Sequence, residues 1–171
     1  TETSLVQIRH LKKYFPITQG IIFQRHIGDV RAVDDVSFDI HKGETLGLVG
    51  ETGCGKTTLG RTLIRLYEPT EGTVLFDGVD LMDLGRREMQ RMRRRMQMIF
   101  QDPYASLNPR LTVYDTLSEA IGTRHNYKGR KLADAVGVLM KTVGLNPAQM
   151  KKYPHEFSGG QRQRIAIARA L

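Results

Sequence analysis

The segment Gly50-Glu51-Thr52-Gly53-Cys54-Gly55-Lys56-Thr57 narrows the possible folds more than any other. It fits G-x-x-x-x-G-K-[ST] in full, and its surroundings suit the motif. Leu46 to Val49 is nearly all apolar, as in a strand covered on both faces, and it runs straight into Gly50. From Lys56 onward, Leu59, Leu63, Ile64 and Leu66 follow helical spacing until Glu68-Pro69 interrupts them. A strand, a glycine loop and a helix in this order belong to an α/β fold. The glycines let successive N–H groups converge on phosphate oxygens, and the helix start adds the positive end of its dipole. Lys56 would reach the β- and γ-phosphates, and the Thr57 hydroxyl would ligate Mg²⁺. The amides from Val49 to Thr58 therefore predict a nucleoside triphosphate site whose contacts are Gly50, Glu51, Thr52, Gly53, Cys54, Gly55, Lys56, Thr57 and Thr58.

The 171 residues suffice for one ordinary domain. Val6 and Ile8, then Val36, Phe38 and Ile40, alternate with polar neighbours and predict strands of an antiparallel sheet within the first 45 residues or so. Pro16 to Gly28 mixes Gly, Pro, aromatic and basic residues without a period and reads as a long excursion or loop. Val74 to Phe76, Asp77-Gly78 and Val79 to Leu81 form a hairpin signal. Arg86 to Met96 places Met89, Met92 and Met96 on one helical face, and Met98 to Phe100 reads as another buried strand, with Gln101 at its C-terminal end.

The remainder is helical. Thr112 and Asp115 resemble a capping box ahead of Val113, Leu117, Ala120 and Ile121. A second run carries Leu132, Val136, Leu139 and Val143 and is closed by Gly144, and Asn146-Pro147 opens a short third helix. Ser158 is an N-cap candidate for a helix through Ile165, Ala168 and Leu171, where the sequence stops without a terminating residue.

Composition supplies the exclusions. The 26 Lys and Arg against 18 Asp and Glu leave a charge of +8, which suits an anionic partner without choosing among nucleotide, nucleic acid and acidic membrane. One cysteine excludes an internal disulfide. No run approaches the ~18 apolar residues of a membrane-spanning helix, so a soluble or peripheral protein on the cytoplasmic side is expected. The arginine-rich stretch from Arg86 to Arg95 reads as a solvated helix face over a methionine stripe, because no aromatic residues interleave it for stacking on bases.

Ser158-Gly159-Gly160-Gln161 opens a helix far along the chain from the phosphate loop and supplies a second anion site. Together the two stretches resemble the nucleotide-binding domain of ABC transporters. Ser158, Gly159, Gly160 and Gln161 match that family's Leu-Ser-Gly-Gly-Gln signature, with Phe157 in place of Leu. The resemblance implies that this signature contacts the ATP of a partner subunit. It makes Gln101, ahead of Asp102-Pro103, the glutamine that helps bind Mg²⁺ and contacts the attacking water. Phe15, with Tyr14 as the adjacent alternative, falls where the family has the ring that stacks on adenine. Lys56 and Gln101 are then the catalytic residues of this chain, ATP and Mg²⁺ its ligands. The implied fold is an α/β P-loop domain over residues 1–171, with an antiparallel β region and a helical subdomain over residues 103–157.

Gln101 to Pro109, Tyr153 to Arg164 and the insertion from Pro16 to Gly28 are similar to ATP-binding subunits of bacterial dipeptide and oligopeptide importers, over nearly the whole chain. Nickel and glutathione importers share much of this wording. The resemblance implies an ATPase dimer with a second, identical or similar subunit, two membrane permease subunits, an extracytoplasmic peptide-binding protein, no nucleic acid, and residence at the cytoplasmic face of the plasma membrane. In the family the signature helix is followed by the Walker B aspartate, the catalytic glutamate and a switch histidine, and the sequence ends at Leu171 before them. The expectation is a C-terminally incomplete domain that binds ATP without hydrolysing it efficiently. An ABC-type ATPase acting on nucleic acid or ribosomes shares both anion sites and is the alternative.

Overall fold

A computed structural model describes residues 4–19, 25–100, 102 and 106–171. The chain divides into two compact units, Thr1–Arg93 and Arg94–Leu171.

The first unit is built on an antiparallel four-stranded sheet in the order β2-β1-β3-β4, with β1 Ser4–Gln19, β2 Arg25–His41, β3 Glu71–Phe76 and β4 Val79–Asp80. Ile8 pairs with Phe38 on one side and Val74 on the other, and Ile8, Val74 and Phe76 share the buried face. Leu11 is also fully buried, although strict alternation from Ile8 would turn it outward. A bulge restores it. His10 and Asp35 adopt left-handed backbone (φ 48° and 54°) on facing strands, the His10 ring meets the Asp35 carboxylate at 2.8 Å, and the His10 amide donates to Ser37 Oγ at 2.8 Å. The extra residue at each bulge shifts the register, so Leu11 and Val33 both reach the core.

The excursion expected from Pro16 to Gly28 is instead largely the outer end of the β1–β2 hairpin. Pro16 pairs with Asp29, Ile17 with Gly28 and Gln19 with Arg25, and residues 20–24 lie outside the described residues. A ladder between backbones needs no side-chain alternation, and residues 16–19 are exposed, so no apolar period marks them. The Asp77-Gly78 turn is as expected: both residues have positive φ, and Phe76 pairs with Val79.

Two expected strands are absent. Residues 44–50 and 96–100 have no regular structure, with Leu48 52% and Ile99 51% exposed. A parallel strand exists only through its ladder, and no strand among the described residues pairs with either segment. Helix α1, Lys56–Leu63, also stops short of the expected Leu66. Arg65 turns left-handed (φ 53°), and its guanidinium donates to the Leu81 and Leu84 carbonyls, each at 2.7 Å, which pulls the chain out of the helix. Helix α2, Arg86–Met92, buries Met89 but ends before Met96, with Arg93 donating to the Arg65 carbonyl at 2.6 Å.

The second unit is helical: α3 Val113–Arg124, α4 Gly129–Thr142 and α5 Gly159–Ala170, with 3-10 turns at Pro147–Gln149 and Pro154–Glu156. Val113, Leu117 and Ile121 of α3 pack with Val136 and Met140 of α4, Ile165 and Ala168 of α5, and Phe157. Thr112 caps α3 reciprocally: its hydroxyl accepts from the Asp115 amide at 3.1 Å, and Asp115 Oδ2 accepts from the Thr112 amide at 3.1 Å. Thr112→Ala removes the hydroxyl half of this box and is expected to cost about 1 kcal/mol, read as a lower urea midpoint at unchanged slope. No helix among the described residues is long and apolar enough to cross a membrane.

Candidate nucleotide site

The phosphate loop stands on β2 and opens α1. Gly55 is the pivot: its φ of +97° is left-handed, and a Cβ there would lie 2.1 Å from the Ala32 carbonyl oxygen. Only glycine lets the loop cross β2 this closely and still enter the helix, whose first bond runs from the Leu59 amide to the Gly55 carbonyl at 2.8 Å. Glu51 to Cys54 and Thr57 are exposed around this turn.

Lys56 folds back over the loop. Its ammonium donates to the Gly50 carbonyl at 2.7 Å and the Glu51 carbonyl at 2.6 Å, and Cys54 Sγ lies 3.4 Å away. The two carbonyls carry no charge, so they solvate the ammonium by their dipoles rather than cancel it. An anion is a stronger partner for an ammonium than these carbonyls, because the acceptor is then charged as well as the donor.

Tyr14 and Phe15, left open as alternatives by the sequence, are used differently. Tyr14 donates its hydroxyl to Asp34, which pushes the phenol up from its usual range and holds Asp34 low, and Arg31 lies over its ring, 5.4 Å from the centroid. Phe15 meets Tyr67 edge to face, with centroids 5.6 Å apart and planes at 88°, and Lys13 Nζ lies 4.9 Å from its centroid. Both Phe15 and Tyr67 are half-buried. Sequence reasoning missed Tyr67, which carries no motif, and Ala32, whose only signal is its carbonyl.

In the helical unit, Ser158 caps α5 with a second reciprocal box. Its hydroxyl accepts from the Gln161 amide at 3.4 Å, and Gln161 Oε1 accepts from the Ser158 amide at 2.9 Å. Arg162 donates to the Phe157 carbonyl at 2.9 Å, and Phe157 is buried behind the turn. Ser158, Gly159 and Gly160 are exposed, and a Cβ at either glycine would meet nothing within 4 Å. Gln101 lies outside the described residues. The structure thus gathers Lys56 with Gly50, Glu51 and Cys54 in one unit, and Ser158 with Gln161 in the other.

The chain belongs to the ABC transporter family, whose profile matches residues 33–171. It is 54% identical over 171 residues to the oligopeptide transport ATP-binding protein AppF of Bacillus subtilis, covering 99% of this chain and 52% of that protein. It is 54% identical to OppF of the same organism (98% and 53% covered), and 48% identical to a probable peptide ABC transporter ATP-binding protein of Sinorhizobium fredii (98% and 47%). Among solved structures it resembles the dimeric ATP-binding cassette MJ0796 bound to ADP and Pi, with 28% identity, a TM-score of 0.80, and coverage of 97% of this chain and 68% of that one. The fold is accordingly an α/β domain of the ABC-type P-loop class. The chain spans about half the length of the curated relatives it matches.

Proposed function

We propose that this chain is the nucleotide-binding part of an ATP-driven importer subunit that supports uptake of oligopeptides through a membrane permease. The observation that carries the reading is Lys56 held over the Gly50 to Thr57 loop by the Gly50 and Glu51 carbonyls, with Cys54 Sγ beside it. The names of the relatives above, two of them oligopeptide transport ATP-binding proteins, support oligopeptides as the cargo.

In this reading ATP threads its phosphates through the amides of Gly50 to Thr58, and Lys56 exchanges its carbonyl partners for β- and γ-phosphate oxygens. Phe15 takes the adenine on its face. Among the described residues no group of three or more His, Cys, Asp and Glu gathers to hold a metal. Mg²⁺ would instead rest on the Thr57 hydroxyl, Gln101 and the phosphates themselves, where it would neutralise developing charge. Ser158, Gly159, Gly160 and Gln161 present a capped helix start to the ATP of a second ATPase subunit. Two such ATP molecules hold the subunits together, and their hydrolysis releases them, which moves two permease subunits fed by a peptide-binding protein. Residues 103–157 form the helical subdomain that faces the permease, at the cytoplasmic side of the plasma membrane.

Deletion of the protein in its host, followed by uptake of labelled oligopeptide, nickel and glutathione, tests the cargo. Peptide uptake is expected to fall to background and to return with the wild-type gene but not with Lys56→Ala. Peptide uptake that persists while nickel or glutathione uptake fails would overturn the peptide reading. Salt-sensitive nucleic-acid binding by the purified protein would favour the nucleic-acid ATPase instead.

A further inference from the structure

Phe15 sits where the sheet has stopped supporting side chains. Beyond it Pro16 to Gln19 are exposed, its ladder partner Val30 is 53% exposed, and the register slips between Lys13 and Tyr14. Lys13 reaches over the ring on a flexible stem and fixes no orientation. Tyr67 is the rigid neighbour, set edge to face against Phe15.

Tyr67 is in turn held by the helix that opens at the phosphate loop. Arg61, in the last turn of α1, donates Nη1 to the Tyr67 hydroxyl at 2.8 Å and lies over its ring, 5.6 Å from the centroid, and the Tyr67 amide donates to the Arg61 carbonyl at 3.3 Å. A little further on, the Thr70 amide donates to the Lys12 carbonyl at 2.8 Å, and the Tyr14 amide donates to Thr70 Oγ1 at 2.9 Å. The segment leaving α1 is therefore stitched to β1 at Lys12 and Tyr14, immediately ahead of Phe15.

We infer that Tyr67 is a positioning residue for nucleotide binding: it sets the Phe15 ring at a fixed place relative to the phosphate loop through α1, and so determines how much of the affinity comes from the base. The inference rests on the reading of Phe15 as the base-stacking ring. It requires no contact between Tyr67 and the nucleotide. A ring that must first be ordered contributes less on binding, so loss of Tyr67 is expected to weaken the base term and spare the phosphate term.

The test is calorimetric titration of the full-length protein with Mg-ATP and with Mg-tripolyphosphate, which shares the phosphates and lacks the base. Phe15→Ala is expected to lower the ratio of ATP to tripolyphosphate affinity about tenfold, as loss of one stacked base does. Tyr67→Leu is expected to lower that ratio about threefold or more, with tripolyphosphate affinity within twofold of wild type, and Tyr67→Phe, which keeps the ring edge, to restore it. If Phe15→Ala lowers the ratio and Tyr67→Leu does not, or if Tyr67→Leu weakens both ligands equally, Tyr67 is ordinary packing and the inference falls alone. If Phe15→Ala leaves the ratio unchanged, the base is bound elsewhere and both the Phe15 reading and this inference fail.

Discussion

Lys56→Ala is expected to weaken Mg-ATP binding about 30- to 100-fold while leaving the unfolding free energy within about 0.5 kcal/mol of wild type. The two halves of this expectation have separate origins. In the free protein the ammonium meets two carbonyls and a thiol on a loop that is mostly exposed, and water replaces those partners at little cost. With nucleotide bound, the same charge is expected to face phosphate oxygens, so that its hydrogen bonds join two opposite charges instead of a charge and a dipole. Calorimetry with Mg-ATP beside urea unfolding reads both numbers. A variant that binds ATP as tightly as wild type would remove the phosphate-loop assignment. One that loses stability in step with affinity would make Lys56 a structural residue.

Gly72→Ala is expected to destabilise the protein by about 3 kcal/mol, the larger structural effect. Gly72 lies in β3 with φ +90°, a conformation in which an L-residue costs about 1–2 kcal/mol. A Cβ there would also lie 2.4 Å from the His10 carbonyl oxygen and 2.6 Å from Leu11 Cα, both backbone atoms that no rotamer change can move. Relieving that contact displaces β1 at its bulge, where Leu11 enters the core, and overpacking of this kind adds about 1–3 kcal/mol. A Gly78→Ala control carries the strained φ (+77°) with nothing within 4 Å and should cost only the backbone part. Equal losses for the two variants in urea denaturation would show that β1 does not bear on Gly72.

The same contrast separates what was legible along the chain from what was not. Features closed within a few residues were readable from the letters: the Asp77-Gly78 turn, the Thr112–Asp115 box, and Ser158 with Gln161 at the start of α5. Each is satisfied by its own neighbours, so residue type and spacing suffice. The strands expected at Leu46 to Val49 and Met98 to Phe100 failed for the opposite reason. Their apolar composition reports suitability for burial in a sheet, but a strand forms only where another strand supplies its ladder. The end of α1 was misread because Leu66 continues the helical period, while Arg65 obeys carbonyls contributed by Leu81 and Leu84.

From residue order alone followed the class of ligand and the loop that would hold it, since a glycine loop between an apolar run and a helix exposes its own amides whatever surrounds it. The fold added everything that depends on distant segments meeting: the parity change at His10 and Asp35 that buries Leu11, the Ala32 carbonyl that makes Gly55 obligatory, and the separate partners of the two neighbouring rings, Asp34 for Tyr14 and Tyr67 for Phe15. Tyr67 belongs to this second group. Nothing in its neighbours distinguishes it, and its place beside Phe15 exists because α1 ends early and returns the chain to β1, a contact that long-range packing alone creates.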